Sequence, residues 1–363
     1  MRSHASPYLL TGSLLLACGG GETPPPTAPS APAPVTTAPV ATAAATASAT
    51  PPSPEPTAEE RKKADDRKKL ADDRAHWQLE NDAEMARWTP ALHASAKALA
   101  DKVYPNLRDA LTAALASPHR KPGNAARDKY RHPVETLTFF GVKPSSAVLE
   151  IGPGDGWYTE LLAPTLAAKG KLAVTSADPH GPEDDRATFG AQRFAAFLGK
   201  APELFGRVET LVVNTSAPKL DAREAFDVVL AIREAHGMIN DGTLDGWLGA
   251  VHGALKPSGV LGIVEHRAKP GADPIESAKK GYVPAKWLIE RVEAAGFKLA
   301  GQSEVNANPK DTKDYPVGVW ALPPTFRLGD QDRDKYTAIG ESDRMTLKFV
   351  VARPGEKAQP AAR

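Results

Sequence analysis

From Pro133 onward, short apolar runs alternate with stretches of helical periodicity. Ala147–Ile151 is an apolar run that carries one acid, Glu150, and it stops at Gly152-Pro-Gly-Asp-Gly156 before a helical stretch over 157–168. Further strand-like runs follow at 171–175, 208–213, 226–232 and 260–265, a helix at 247–255 ends at Lys256-Pro-Ser-Gly259, and 345–351 reads as a last, antiparallel strand. Such alternation predicts an α/β fold with a doubly wound, mostly parallel sheet, whose ligand site lies at the carboxyl ends of the strands. Between them, residues 306–344 are rich in Asp, Asn, Pro and Arg with spaced aromatics, which predicts a long ordered loop over that edge.

Upstream, Trp77, Leu79, Met85, Trp88, Leu92, Leu99, Val103, Leu107 and Leu111 recur at helical intervals, broken by Pro90 and Pro105. This predicts a helical extension over 58–120 that sits as a lid or cap on a domain at 121–354. Its first part, Arg61 to Arg74, is a block of both charge signs at three- and four-residue spacing, the pattern of a solvated stalk. Residues 19–57 are crowded with Pro, Ala and Thr without apolar periodicity, a composition that predicts a disordered linker. A flexible tail is expected at 355–363.

Charge narrows the partners. Lys+Arg 45 against Asp+Glu 44 leaves +1, so no basic surplus exists to hold a nucleic-acid backbone by counterion release. The single cysteine, Cys18, excludes a disulfide within one chain and any Cys-based zinc site. It follows Arg2, His4 and the apolar stretch Tyr8 to Leu16, an export signal in outline and too short to span a bilayer as a helix. Leu15-Leu16-Ala17-Cys18 resembles the lipobox of bacterial lipoproteins. That resemblance implies a signal over 1–18 cut before Cys18, lipidation of Cys18, and an exported protein held in the cell envelope through an N-terminal lipid; a plain secretory signal is the alternative.

The glycine-rich turn carries the first candidate chemistry. Glycines there permit positive φ and let a ligand approach the backbone at a helix start. The spacing Glu150-x-Gly152-x-Gly154-x-Gly156 differs from the dinucleotide fingerprint by one residue between the last two glycines. At this point the chain resembles the class I S-adenosylmethionine-dependent methyltransferases. Arg131 to Pro144, Gly156-Trp-Tyr-Thr-Glu160, Arg233-Glu-Ala-His236, Gly262 to Arg267 and Gly281-Tyr-Val-Pro284 are similar to one bacterial, often exported group of them, over roughly residues 120 to 354. The resemblance implies S-adenosylmethionine as cofactor, with Glu150, Gly152, Gly154, Asp155, Gly156, Tyr158 and Arg233 in its site. It also implies an acid for the ribose after the second strand, where this chain has Ser176 and, two further on, Asp178. After the third strand Asn214-Thr215 stands where an adenine contact is expected.

Methyl transfer is a displacement that needs an aligned nucleophile and, for a weakly acidic one, a base. His236 after the fourth strand, with Glu265 and His266 at the end of the fifth, are the candidate catalytic residues; Arg267 could bind an acidic substrate group. His236, Glu265, His266 and Asp311 could also supply nitrogen and oxygen ligands, but no His-x-x-x-His spacing supports a metal, and none is expected. No Gly-x-Ser-x-Gly elbow and no phosphate-binding Gly-x-x-x-x-Gly-Lys loop occurs. The expectation is methyl transfer to a small molecule or an envelope component; the alternative is an envelope lipoprotein that uses the same fold to bind a ligand or partner without turnover.

Overall fold

The computed structural model describes residues 57–352; the expected signal, Cys18, all but the last residue of the linker, and the tail lie outside the described residues. Strands β1 (Ala147–Ile151), β2 (Lys171–Ser176), β3 (Glu209–Val212), β4 (Phe226–Ile232), β5 (Leu255–His266), β6 (Phe297–Ser303) and β7 (Arg344–Val351) form one sheet in the order β3-β2-β1-β4-β5-β7-β6. β1 to β5 run parallel, with Leu149 opposite Val229 and Val148 opposite Leu172. β7 is antiparallel to both β5 and β6, with Arg344 beside His266. The continuous apolar character of β1 and β4 has a simple cause: both are covered on both faces, so every position along them is half-buried or buried.

One face of the sheet is covered by the helix Thr159–Leu166 together with α2 (Pro90–Asp101) and α3 (Leu107–Ala116). Ala96, Leu111 and Ala114 pack in the same cluster as Val148, Leu161, Leu162 and Phe205. These two helices, expected as a lid or cap packed on the domain, contribute to its core. Only α1 (Ala58–Arg87) lies outside. It opens on a capping box between Thr57 and Glu60, buries Leu70, and is tied down by Lys200 Nζ to Glu84 Oε1 (2.9 Å) and Arg74 to Gln192 (2.8 Å). The other face is filled by Trp247, Leu248, Leu288 and Val292 against Val229, Ile263 and Leu347. Among the described residues no helix is long and apolar enough to cross a membrane.

Two departures from the periodicity are physical. β5 begins at Leu255 and includes Lys256 to Gly259, read above as the end of the preceding helix; a register irregularity against β4, between Phe226 and Val228, absorbs the extra residues. β6 lies at the sheet edge and buries only Phe297 fully, so it shows little apolar alternation. Residues 304–343 connect β6 to β7. Because β7 starts at Arg344, opposite the carboxyl end of β5, this segment is laid over the carboxyl edge of the parallel strands.

Candidate functional site

Sheet order reverses between β1 and β4, and a crevice opens there at the carboxyl ends of the strands. Its floor is a cavity of about 420 Å³ walled by Ile151 to Asp155, by Thr175 to Ala177 after β2, by Val213 and Thr215 after β3, and by Glu234, Gly237, Met238, Asp241 and Trp247 after β4. The turn geometry needs its glycines. Gly152 has φ +57°, donates its N–H to Thr175 Oγ1 (3.0 Å), and has no room for a Cβ, which would come within 2.3 Å of the Glu234 carboxylate. Gly154 has φ +56°, and nothing lies within 4 Å of where its Cβ would be. The close contact at Gly152 is with a side chain, whereas Gly154 faces open space, so the turn leaves room for a ligand against its backbone.

Glu234 is the acid of this cavity. It accepts no hydrogen bond from a described residue, and burial pushes its carboxyl well above the ordinary range; Arg233 pulls it down, while Glu265 and Glu150 push it further up. Asp155 pairs with Arg193 (2.5 Å), and both also wall the cavity.

A second, smaller cavity of about 180 Å³ lies beside the first, with Arg233, His236, His266, Trp320, Glu341 and Ser342 in its wall. Glu265 is fully buried beneath it. Its Oε2 accepts the His236 backbone N–H (3.1 Å); its Oε1 accepts the His266 backbone N–H (2.8 Å) and meets His236 Nδ1 at 3.1 Å. A carboxylate at Nδ1 fixes the tautomer with the proton on that nitrogen and leaves Nε2 as a proton acceptor. Burial opposes protonation of His236, yet the Glu265 charge and hydrogen bond prevail and its pKa is raised. His266 meets Ser342 Oγ through Nδ1 (2.5 Å); burial, with His236 beside it, holds it well below the ordinary range, so it stays neutral. Potential ligand atoms of His236, Glu265 and His266 lie within 4.8 Å of one another. Both Glu265 oxygens are already committed, an arrangement that suits a carboxylate–histidine pair.

The expected site residues divide accordingly. Gly152, Gly154, Asp155 and Ser176 wall the large cavity, and His236, Glu265 and His266 come together at the small one. The others stand outside the wall of the large cavity. Glu150 points back into the protein, where Thr159 Oγ1 donates to it (2.7 Å) and burial raises it to about 7. Gly156 is turned against the Phe197 ring, and Tyr158 is buried in the charge field of Arg131, Arg344 and Arg233. Asp178 and Asn214 are exposed, and each closes its own turn, on the N–H of His180 (2.8 Å) and of Ser216 (3.0 Å). Arg233 walls the small cavity. Asp311 is spent on Tyr282 Oη and on the Lys313 and Asp343 N–H groups. Arg267 pairs with Glu304 and Asp343.

β1 to β5 parallel, β7 antiparallel between β5 and β6, and a glycine turn after β1 complete the pattern. This is the class I methyltransferase fold. Solved structures that resemble the chain include a SAM-dependent methyltransferase from Aquifex aeolicus (17% identity over 64% of this chain and 94% of that one, TM-score 0.41). Others are the 1,6-didemethyltoxoflavin-N1-methyltransferase of Burkholderia thailandensis with S-adenosylhomocysteine bound (16%, 61% and 77%, TM-score 0.37) and the glycopeptide N-methyltransferase MtfA complexed with S-adenosylhomocysteine (16%, 62% and 90%, TM-score 0.39). No protein-family model and no curated protein matches the sequence.

Glu234, Asp241 and Trp247 join the cavity without having been singled out for it in the sequence. For Glu234 the signal was present, since it stands between Arg233 and His236. What the sequence lacks is the backbone turn: Arg233 takes φ +66°, which sends Arg233 and His236 to one cavity and Glu234 to the other.

Proposed function

We propose that this chain is an S-adenosylmethionine-dependent methyltransferase. The observation that supports this most directly is the cavity at the reversal of strand order, with Gly154 open toward it and the unpartnered Glu234 carboxyl in its wall. A cationic, elongated ligand fits that set. Glu234 would face its positive charge, Gly152 to Asp155 its amino-acid end, Ser176 its ribose hydroxyls, and Thr215 and Trp247 its base. When bound, S-adenosylmethionine supplies a methyl group on a cationic sulfur, the electrophile of the reaction.

The chain's own contribution is positioning and proton handling. His236 Nε2 takes the proton of an acceptor hydroxyl or amine in the small cavity. Glu265 holds the imidazole in the required tautomer and stabilises the imidazolium that results. The segment 304–343 closes the edge over His236 with Trp320, whose ring lies 6.1 Å from the imidazole, and so limits the water that reaches the acceptor.

The acceptor is a small molecule or an envelope component, and the protein is exported and lipid-anchored at Cys18; the lipobox-like string supports that placement. One observation favours a second reading, a lipoprotein that binds without turnover: the large cavity has Ser176 where the family carries a ribose acid, and Asp178 is not in its wall. Transfer of labelled methyl groups from S-adenosylmethionine to an extract of small molecules and envelope components separates the two. Incorporation by the full chain, lost in His236→Ala, supports the enzyme; binding of the cofactor with no incorporation supports the second reading.

A further inference from the structure

Around the small cavity, guanidiniums outnumber the carboxylates that they hydrogen-bond. Arg233 in its wall forms no hydrogen bond or ion pair through its guanidinium, and its Nε is buried without a partner. Arg131 Nη2 is likewise buried and unpartnered. The three guanidiniums Arg127, Arg131 and Arg344 share a single carboxylate, Glu341, at 2.7, 3.3 and 2.9 Å. Arg233 adds a fourth cation that feels Arg131 and Arg344 directly. Neither remaining acid answers it with a hydrogen bond: Glu265 is taken up by His236 and two backbone N–H groups, and Glu234 faces the large cavity.

Isolated cations are not buried without return, and arginine forks match planar or tetrahedral oxyanions. Arg233 also adopts a left-handed backbone that a non-glycine residue rarely takes, pinned by its N–H to Val264 O at 2.7 Å. The structure thus holds a guanidinium, on a backbone in an uncommon conformation, in the wall of a cavity that His236 also lines.

We propose that the small cavity binds an oxyanion, the carboxylate or phosphate of the methyl acceptor, through Arg233. The acceptor is then an anionic molecule whose hydroxyl or amine reaches His236 Nε2 while its charged end rests on Arg233. This rests on the methyl-transfer reading above and adds the substrate class to it.

The test is calorimetric titration of the full chain at low ionic strength with inorganic phosphate, with benzoate, and with the uncharged benzamide. S-adenosylmethionine is titrated in parallel. Millimolar binding of phosphate or benzoate but not benzamide, weakened at least tenfold in Arg233→Asn and largely kept in Arg233→Lys, is the expected result. The stronger of the two anions tells phosphate from carboxylate. Asn tolerates the left-handed backbone, and the wild-type titration stands whether or not the variant folds. Absence of binding of both anions, or equal binding by Arg233→Asn, overturns the anion site and leaves methyl transfer standing if S-adenosylmethionine still binds. Anion binding by a chain that does not bind S-adenosylmethionine overturns the assignment of the anion to a methyl acceptor.

Discussion

Replacing Glu150 by Gln separates the turn's architecture from its ligand chemistry. Burial lifts this carboxyl from 4.5 to about 7, with the Thr159 hydrogen bond opposing. An acid raised in the fold binds its proton more tightly there than in the unfolded chain. Its presence therefore leaves stability undiminished below pH 4.5 and subtracts increasingly as pH rises to about 7. At about 1.4 kcal/mol per pH unit, holding Glu150 as an anion costs about 3 kcal/mol above pH 8. Glu150→Gln keeps the volume and an acceptor for Thr159 Oγ1, so the variant should match the wild type at pH 4.5 and exceed it by about 3 kcal/mol at pH 8.5. Urea unfolding followed by circular dichroism at both pH values gives the difference, to which relief of Glu234, also pushed up by the Glu150 charge, adds in the same direction. Because Glu150 faces Thr159 and not the cavity, affinity for S-adenosylmethionine should change less than threefold. A difference that does not grow with pH refutes the burial argument, and a tenfold loss of affinity places the carboxyl on the ligand.

Three further outcomes follow from the geometry. In Glu265→Gln the imidazole of His236, followed by NMR titration, should ionise at lower pH than in the wild type, because the charge that raises it is gone; an unchanged midpoint would break the pairing. Glu341 is held at about 2, its burial outweighed by Arg344, Arg131 and Arg127, so its contribution is complete above pH 4.5 and is lost as pH falls toward 2. Glu341→Gln should cost about 3–5 kcal/mol at neutral pH by leaving buried guanidiniums unanswered, and chemical denaturation measures it. Leu111→Ala should cost about 2–5 kcal/mol by the same assay, since that side chain is fully buried in the sheet's own core; a loss under 1 kcal/mol would show that α3 is not part of that core.

Strands buried on both sides were readable because burial forces an unbroken apolar run: β1 and β4 end where the periodicity ends, at Ile151 and Ile232. The edge strand β6 was not, since its exposed positions carry no alternation. The glycine turn was legible for a similar reason, as positive φ at three alternate positions leaves few residue choices. Side-chain direction was not. Glu150 reads as a turn acid but is drawn inward by Thr159, and Asp178 and Asn214 have the right chemistry and spend it on their own turns. Successive residues after β4 part company at a single left-handed residue, Arg233, which no periodicity announces. The convergence of His236 with Glu265 depends on the pairing of β4 with β5, and strand-end positions alone suggested it.

The claim that matters most is that the large cavity holds S-adenosylmethionine against Gly154. Calorimetric titration of the full chain and of Gly154→Asn with S-adenosylmethionine and S-adenosylhomocysteine tests it directly. A Cβ at this position meets no protein atom, so the variant should keep its melting temperature to within a few degrees while its side chain fills the ligand's place. Binding by the wild type that is lost in a folded Gly154→Asn is the predicted result. A folded wild-type chain that takes up neither compound, or a variant that binds as well as the wild type, would contradict it.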